Sequence, residues 1–157
     1  MIRLKKIINL NEIQKLAEGT YRRGGFSCSE SVLSTIITSF ELDISKDAIA
    51  LSSGFSAGMS SGSVCGALAG GIMALGILFG RSEEGESIVK LKNELAKELY
   101  QSFFEATEKD SVCCNVLTEG FDLSKGDHKS HCERYVGFVT RKVAEIIINE
   151  YNLINHN

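Results

Sequence analysis

The chain has 157 residues, 43 % apolar and 24 % charged, with a formal charge of −3 at neutral pH. That fits one domain of ordinary size with material for a sizeable core, and it offers no basic field for nucleic acid or an acidic membrane surface. There are five cysteines and no proline.

The opening, MIRLKKIINLNEIQKLAEG, carries early positive charge, but Asn9, Asn11 and Glu12 interrupt it too soon for a secretory signal peptide. The expected compartment is the cytoplasm, where permanent disulfides are disfavoured. The cysteines there read as reduced thiols, metal ligands or redox centres. Leu10, Ile13, Ala17 and Tyr21 share one helical stripe, capped by Asn9 and stopped by Gly24-Gly25. A second helix carries Val32, Leu33, Ile36, Ile37 and Phe40, and a short third follows Ser45.

From Leu51 to Gly80 there is no charge, but only Val64 to Phe79 is convincingly apolar, which is too short for a membrane span. It reads as a buried central helix. Gly62, Gly66 and Gly70 are four apart and share a face without Cβ atoms, open to a closely packed helix or to a bound group. A fifth helix from about Ser82 repeats Ile88, Leu91, Leu95, Leu99 and Phe103, with Lys90, Glu94, Lys97 and Glu98 on its wet face. Glu83, Glu84 and Glu86 read as a solvated turn rather than as catalytic carboxylates. A helical turn follows Ser111. KGDHKSH, up to His131, reads as a polar surface loop that leads into Cys132. The last helix, from about Ser130, buries Val136, Val139, Val143, Ile146 and Ile147, and His156 falls in a loose terminal tail. No stretch alternates with period 2. The expected fold is all-α: a single-domain helical bundle over 1–157 (core about 10–148), with about five main helices, short helical turns and a central glycine-rich buried helix.

The capping signals align with the cysteines. SCSE places Ser27 before Glu30 in a capping box with Cys28 as the first helical residue, and SHCE repeats the pattern with Ser130 and Glu133 around Cys132. Ser63 is the expected cap before Cys65, and Ser111 the cap before Cys113 and Cys114. All five thiols then fall in the first turn of a helix, where unpaired N–H groups and the helix dipole favour thiolate and should lower its pKa. No Cys-x-x-Cys is present, so any site must be assembled from separate helices. Cys113 and Cys114 are adjacent and diverge on a helix, so one of them is expected to face such a site.

GGFSCSESVL, GFSAGMSSGSVCGALAGGIMALG, CNVL and HCERYVGFVTRKVAEII together resemble the family of redox-active proteins described by the cysteine pattern C_GCAxxG_C_C. The likeness runs from about Leu10 to Ile148. One element departs from the pattern: this chain has Val64-Cys65-Gly66-Ala67 where Gly-Cys-Ala would stand. The resemblance implies a helical redox protein in which Cys28, Cys65, Cys114 and Cys132 are the candidate metal ligands, with Cys114 chosen over Cys113 because Leu117 follows at the expected offset. It implies electron transfer or an iron–sulfur cluster.

The favoured reading is a redox-active protein whose four cysteines hold a [2Fe–2S] or [4Fe–4S] cluster. It would be an electron carrier or an oxidoreductase, with a redox partner protein, no nucleic-acid partner, no membrane span and room for a homodimer. Gly66 and Gly70 would line the cofactor. The alternatives are metal-free thiol–disulfide exchange with Cys28 and Cys65 as the redox thiols, a zinc site in which His131 could replace a thiol, and a small-molecule-binding domain with incidental cysteines.

Overall fold

The computed structural model describes residues 7–156; the charged opening Met1–Lys6 lies outside the described residues. Among the described residues, seven α-helices follow one another: α1 (Leu10–Arg22), α2 (Cys28–Ser39), α3 (Asp47–Ser52), α4 (Gly66–Phe79), α5 (Ala96–Thr107), α6 (Cys114–Leu117) and α7 (Lys129–Tyr151). Two-residue strands, β1 (Ile7–Ile8) and β2 (Ile154–Asn155), pair in parallel. The tail expected to be loose is pinned there, since the His156 N–H donates to the Ile8 carbonyl at 2.8 Å. The architecture is the all-α bundle read from the sequence.

α1 forms because Leu10, Ile13, Ala17 and Tyr21 recur on one buried stripe while the Asn9 side chain accepts the Glu12 N–H at 3.0 Å. α2 begins with the Ser27–Glu30 capping box: the Glu30 carboxylate accepts the Ser27 N–H at 2.7 Å. Val32, Leu33, Ile36 and Phe40 are fully buried. α4 packs on α2, α5 and α7 through a face that buries Ala67, Leu68, Gly70, Gly71, Ala74 and Leu75, while Ile72, Met73, Ile77, Leu78 and Phe79 are half-buried. α7 touches α1, α2, α4 and α5, and α1 closes the group against α2 and α7. Among the described residues, no helix is long and apolar enough to cross a membrane.

Several boundaries differ from the sequence reading, each for a local reason. The segment Glu83–Glu86 is a turn closed by the Glu86 carboxylate, which accepts the Ser82 and Glu83 N–H groups at 3.0 and 3.1 Å. The fifth helix therefore starts later than Ser82, with a π-helical turn at Leu91–Leu95 running into α5. α4 starts at Gly66 rather than near Ser63, so Gly62 lies outside it. The residues before it turn left-handed: Ala57, Gly58, Met59 and Ser60 all have φ between 51 and 61°. A Cβ on Gly58 would sit 2.5 Å from the Ser63 nitrogen and 2.9 Å from the Cys114 Cβ, so only glycine lets the chain double back so closely. The three non-glycine residues of this turn carry about 1–2 kcal/mol of backbone strain each.

Gly70 is where α2 and α4 cross. A Cβ there would stand 2.5 Å from the Ser29 carbonyl oxygen, a helix backbone atom with little freedom to move. Gly70→Ala should destabilise the protein by about 1–3 kcal/mol, read as a lower denaturant midpoint at unchanged slope. Gly76 on the same helix faces nothing within 4 Å. Gly76→Ala should therefore shift the midpoint the other way, by about 0.5–1 kcal/mol.

Candidate functional site

Four helix beginnings meet at one end of the bundle, around a cavity of about 500 Å³. Its walls include Cys28, Cys65, Cys114 and Cys132, together with Tyr21, Tyr135, Leu117 and Gly66. All five cysteines of the chain are free thiols, and Cys113 does not line the cavity.

Each sulfur arrives by its own route. Cys28 opens α2 behind the Ser27 cap. Cys65 is itself the N-cap of α4, with φ −50° and ψ 127°, taking the place expected for Ser63. Cys114 opens the single turn of α6 and Cys113, not Ser111, stands at its N-cap position. Cys132 is the fourth residue of α7, two further in than expected, because α7 starts at Lys129 after His128 and the Ser130–Glu133 box does not form. Glu133 instead meets the Arg22 guanidinium across the α1–α7 contact. Backbone hydrogen bonds tie the segments together. The Cys65 N–H donates to the Val112 carbonyl at 2.8 Å, and the Cys114 N–H to the Ser63 carbonyl at 2.6 Å.

The electrostatics reverse one expectation. The helix-start N–H groups do favour thiolate, but burial outweighs them and all four thiols are raised. Burial pushes Cys65 up to about 12, the neighbouring Cys28 adds to the rise, and the N–H groups of Leu68 and Ala67 oppose it. Burial likewise lifts Cys132 to about 12, reinforced by Cys114 and Cys28 and opposed by a hydrogen bond from Tyr21. Cys28 is raised by burial against the N–H groups of Ala57 and Ser29. Cys114 is raised by burial and by Cys28, against a hydrogen bond from Thr118. A cavity that collects several thiols makes each negative charge unwelcome until something positive balances it.

The two glycines assigned to a cofactor part company. Gly66 lines the cavity, and a Cβ there would meet the Cys28 Sγ at 2.4 Å, whereas Gly70 serves the α2–α4 crossing. The loop before α7 reaches the site, since His128 and Lys129 line the cavity. His131 does not: its Nε2–H donates to the Leu117 carbonyl at 2.8 Å and its Nδ1 accepts from Arg134 at 3.1 Å, so both nitrogens are engaged. Among the described residues, no three His, Cys, Asp or Glu side chains are grouped to hold a metal ion as they stand. Sequence reasoning missed Tyr21 as a site residue. It sits at the site end of the α1 stripe, and a hydroxyl ending an apolar row just before Gly24-Gly25 was the available signal. Ala57 was missed too, because nothing in its residue type announces a left-handed turn.

The family described as "Putative redox-active protein (C_GCAxxG_C_C)" matches residues 26–146. The chain belongs to that family. The match contains all five cysteines and the glycine-rich element before α4, so the likeness drawn from the cysteine segments holds. Within the C_GCAxxG_C_C family pattern, the departure at Val64-Cys65-Gly66-Ala67 coincides with the N-cap position of Cys65, where the following glycine gives Cys28 its room. Tyr21 lies outside the matched span. No curated protein and no solved structure matches the chain.

Proposed function

We propose that this redox-active protein holds an iron–sulfur cluster through Cys28, Cys65, Cys114 and Cys132 and uses it to transfer electrons. The observation that carries the reading is the convergence of four thiols from four separate helix beginnings on one cavity. The residues fit such a group on three counts. Four cysteines are the full thiolate set of a [2Fe–2S] or [4Fe–4S] centre. The cavity, at about 500 Å³, has room for far more than one coordinated ion or water, the latter occupying roughly 30 Å³. Burial makes the thiols costly to ionise on their own, and bound metal charge removes that cost.

When bound, the group would supply one-electron transfer. The chain's own residues set its surroundings. Tyr21 donates to the Cys132 sulfur, the Ala57 and Ser29 N–H groups bear on Cys28, and those of Leu68 and Ala67 bear on Cys65. Hydrogen bonds to ligand sulfurs favour the more negative, reduced state. Metal-free thiol–disulfide exchange is less well served, because the attacking species is the thiolate and here burial suppresses it.

The test is anaerobic purification followed by iron, acid-labile sulfide and zinc analysis on one sample. Iron and sulfide in equal amounts, with visible charge-transfer absorption, are expected. Stoichiometric zinc without iron, or a colourless metal-free protein from that preparation, overturns the reading.

A further inference from the structure

α6 is only Cys114–Leu117, a single turn, and one turn of helix does not hold itself together in water. Whatever anchors its two ends decides where the Cys114 sulfur stands. Its beginning is fixed by the Cys114 N–H on the Ser63 carbonyl and by an antiparallel bridge between Cys113 and Val64. Its last residue, Leu117, leaves a carbonyl of the kind that a helix end cannot satisfy internally. The Nε2–H of His131 takes that carbonyl at 2.8 Å.

His131 is held for this contact from every side. Its ring stacks on Phe121 with centroids 5.0 Å apart and makes a T-shaped contact with Tyr135 at 4.9 Å. Arg134 donates to Nδ1 at 3.1 Å, which requires Nδ1 to be the bare nitrogen and Nε2 to carry the proton. Since His131 adjoins Cys132 on α7, this one hydrogen bond joins the carrier of Cys114 to the carrier of Cys132.

We propose that His131 is a positioning residue: by binding the Leu117 carbonyl it locks α6 onto α7 and sets the spacing between the Cys114 and Cys132 sulfurs. The inference rests on the reading that these two thiols serve one site, yet it concerns the protein without metal and is tested there. His131→Phe keeps a stacking ring and removes the donor. His131→Gln gives up the ring and keeps an N–H at similar reach.

The measurement is the alkylation rate of each cysteine in the reduced, metal-free protein, resolved by peptide mass spectrometry. The loss of one hydrogen bond should raise Cys114 labelling about 3- to 10-fold in His131→Phe, with Cys28 unchanged and His131→Gln within about twofold of the parent. An unchanged Cys114 rate in folded His131→Phe overturns the proposal, as does a parallel rise of all the cysteines, which marks general loosening. Should His131→Phe fail to fold, ¹⁵N imidazole shifts of the unaltered protein decide. The Nε2–H tautomer supports the proposal, and the Nδ1–H tautomer, which cannot donate to Leu117, refutes it. Iron analysis of the parent protein reports separately on the cluster, so failure of that reading leaves the labelling result intact.

Discussion

Replacing Cys65 by serine abolishes the bound iron and the visible absorption of anaerobically purified protein, while Cys113→Ser leaves both unchanged. The two substitutions are a matched pair. Each cysteine occupies a helix N-cap, Cys65 on α4 and Cys113 on α6, and serine is among the best residues for that position. Neither helix beginning should weaken, which equal far-ultraviolet circular dichroism would verify. What differs is where the side chains stand, since Cys65 lines the cavity and Cys113 does not. An alcohol keeps its proton at neutral pH and is a harder, poorer donor to an iron–sulfur group than a thiolate. The loss should therefore exceed the roughly 10–100-fold drop in affinity that follows removal of an outer hydrogen-bond partner. Iron retained by Cys65→Ser, or lost from Cys113→Ser alone, would sink the ligand assignment.

The bundle was legible in the sequence because its main helices are amphipathic or wholly apolar over several turns. The rows Leu10-Ile13-Ala17-Tyr21 and Val136-Val139-Val143-Ile147 could be read as buried faces with no knowledge of their partners, and both are buried. Ser27 and Glu30 were equally legible, since a capping box is local chemistry completed within four residues.

What escaped was chemistry decided at a distance. Ser63 looked like the cap of α4, but a glycine-permitted left-handed turn at residues 57–60 swings the chain against Cys114 and hands the capping place to Cys65. Ser130 and Glu133 spell a capping box, yet Glu133 is drawn to Arg22 on another helix and α7 starts earlier. The thiol pKa values went wrong for the same reason. The N–H groups of a helix start can be inferred from the chain, whereas burial and the proximity of two other thiols belong to the assembled cavity. His131 read as a loop residue because its partner, Leu117, is 14 positions away.

In the metal-free, reduced protein at pH 8, Cys65 and Cys132 should react with iodoacetamide far more slowly than a free thiol. A pKa of about 12 against the ordinary value near 8.5 cuts the thiolate fraction by on the order of a thousandfold. The greater nucleophilicity of a more basic thiolate returns part of this, leaving a net deficit on the order of a hundredfold before any steric protection. The same shift fixes how stability depends on pH. The folded state raises these pKa values, so it binds protons more tightly than the unfolded chain does. The contribution is complete below the ordinary thiol pKa and is lost as pH climbs through it towards about 12. The metal-free protein should thus weaken steadily in denaturant titrations between about pH 8.5 and 12. Tyr21 and Tyr135 are also raised by burial and would share in that loss, but Cys65→Ser separates the contributions. Removing one buried thiol should flatten the alkaline slope, as there is one proton fewer to lose. The metal-loaded protein should lack the thiol part of this limb, because its thiolates are already balanced by positive charge. Labelling of Cys65 at the rate of a free thiol, or equal stability of the metal-free protein at pH 8 and 11, would mean that burial and crowding do not hold these sulfurs protonated as this behaviour requires.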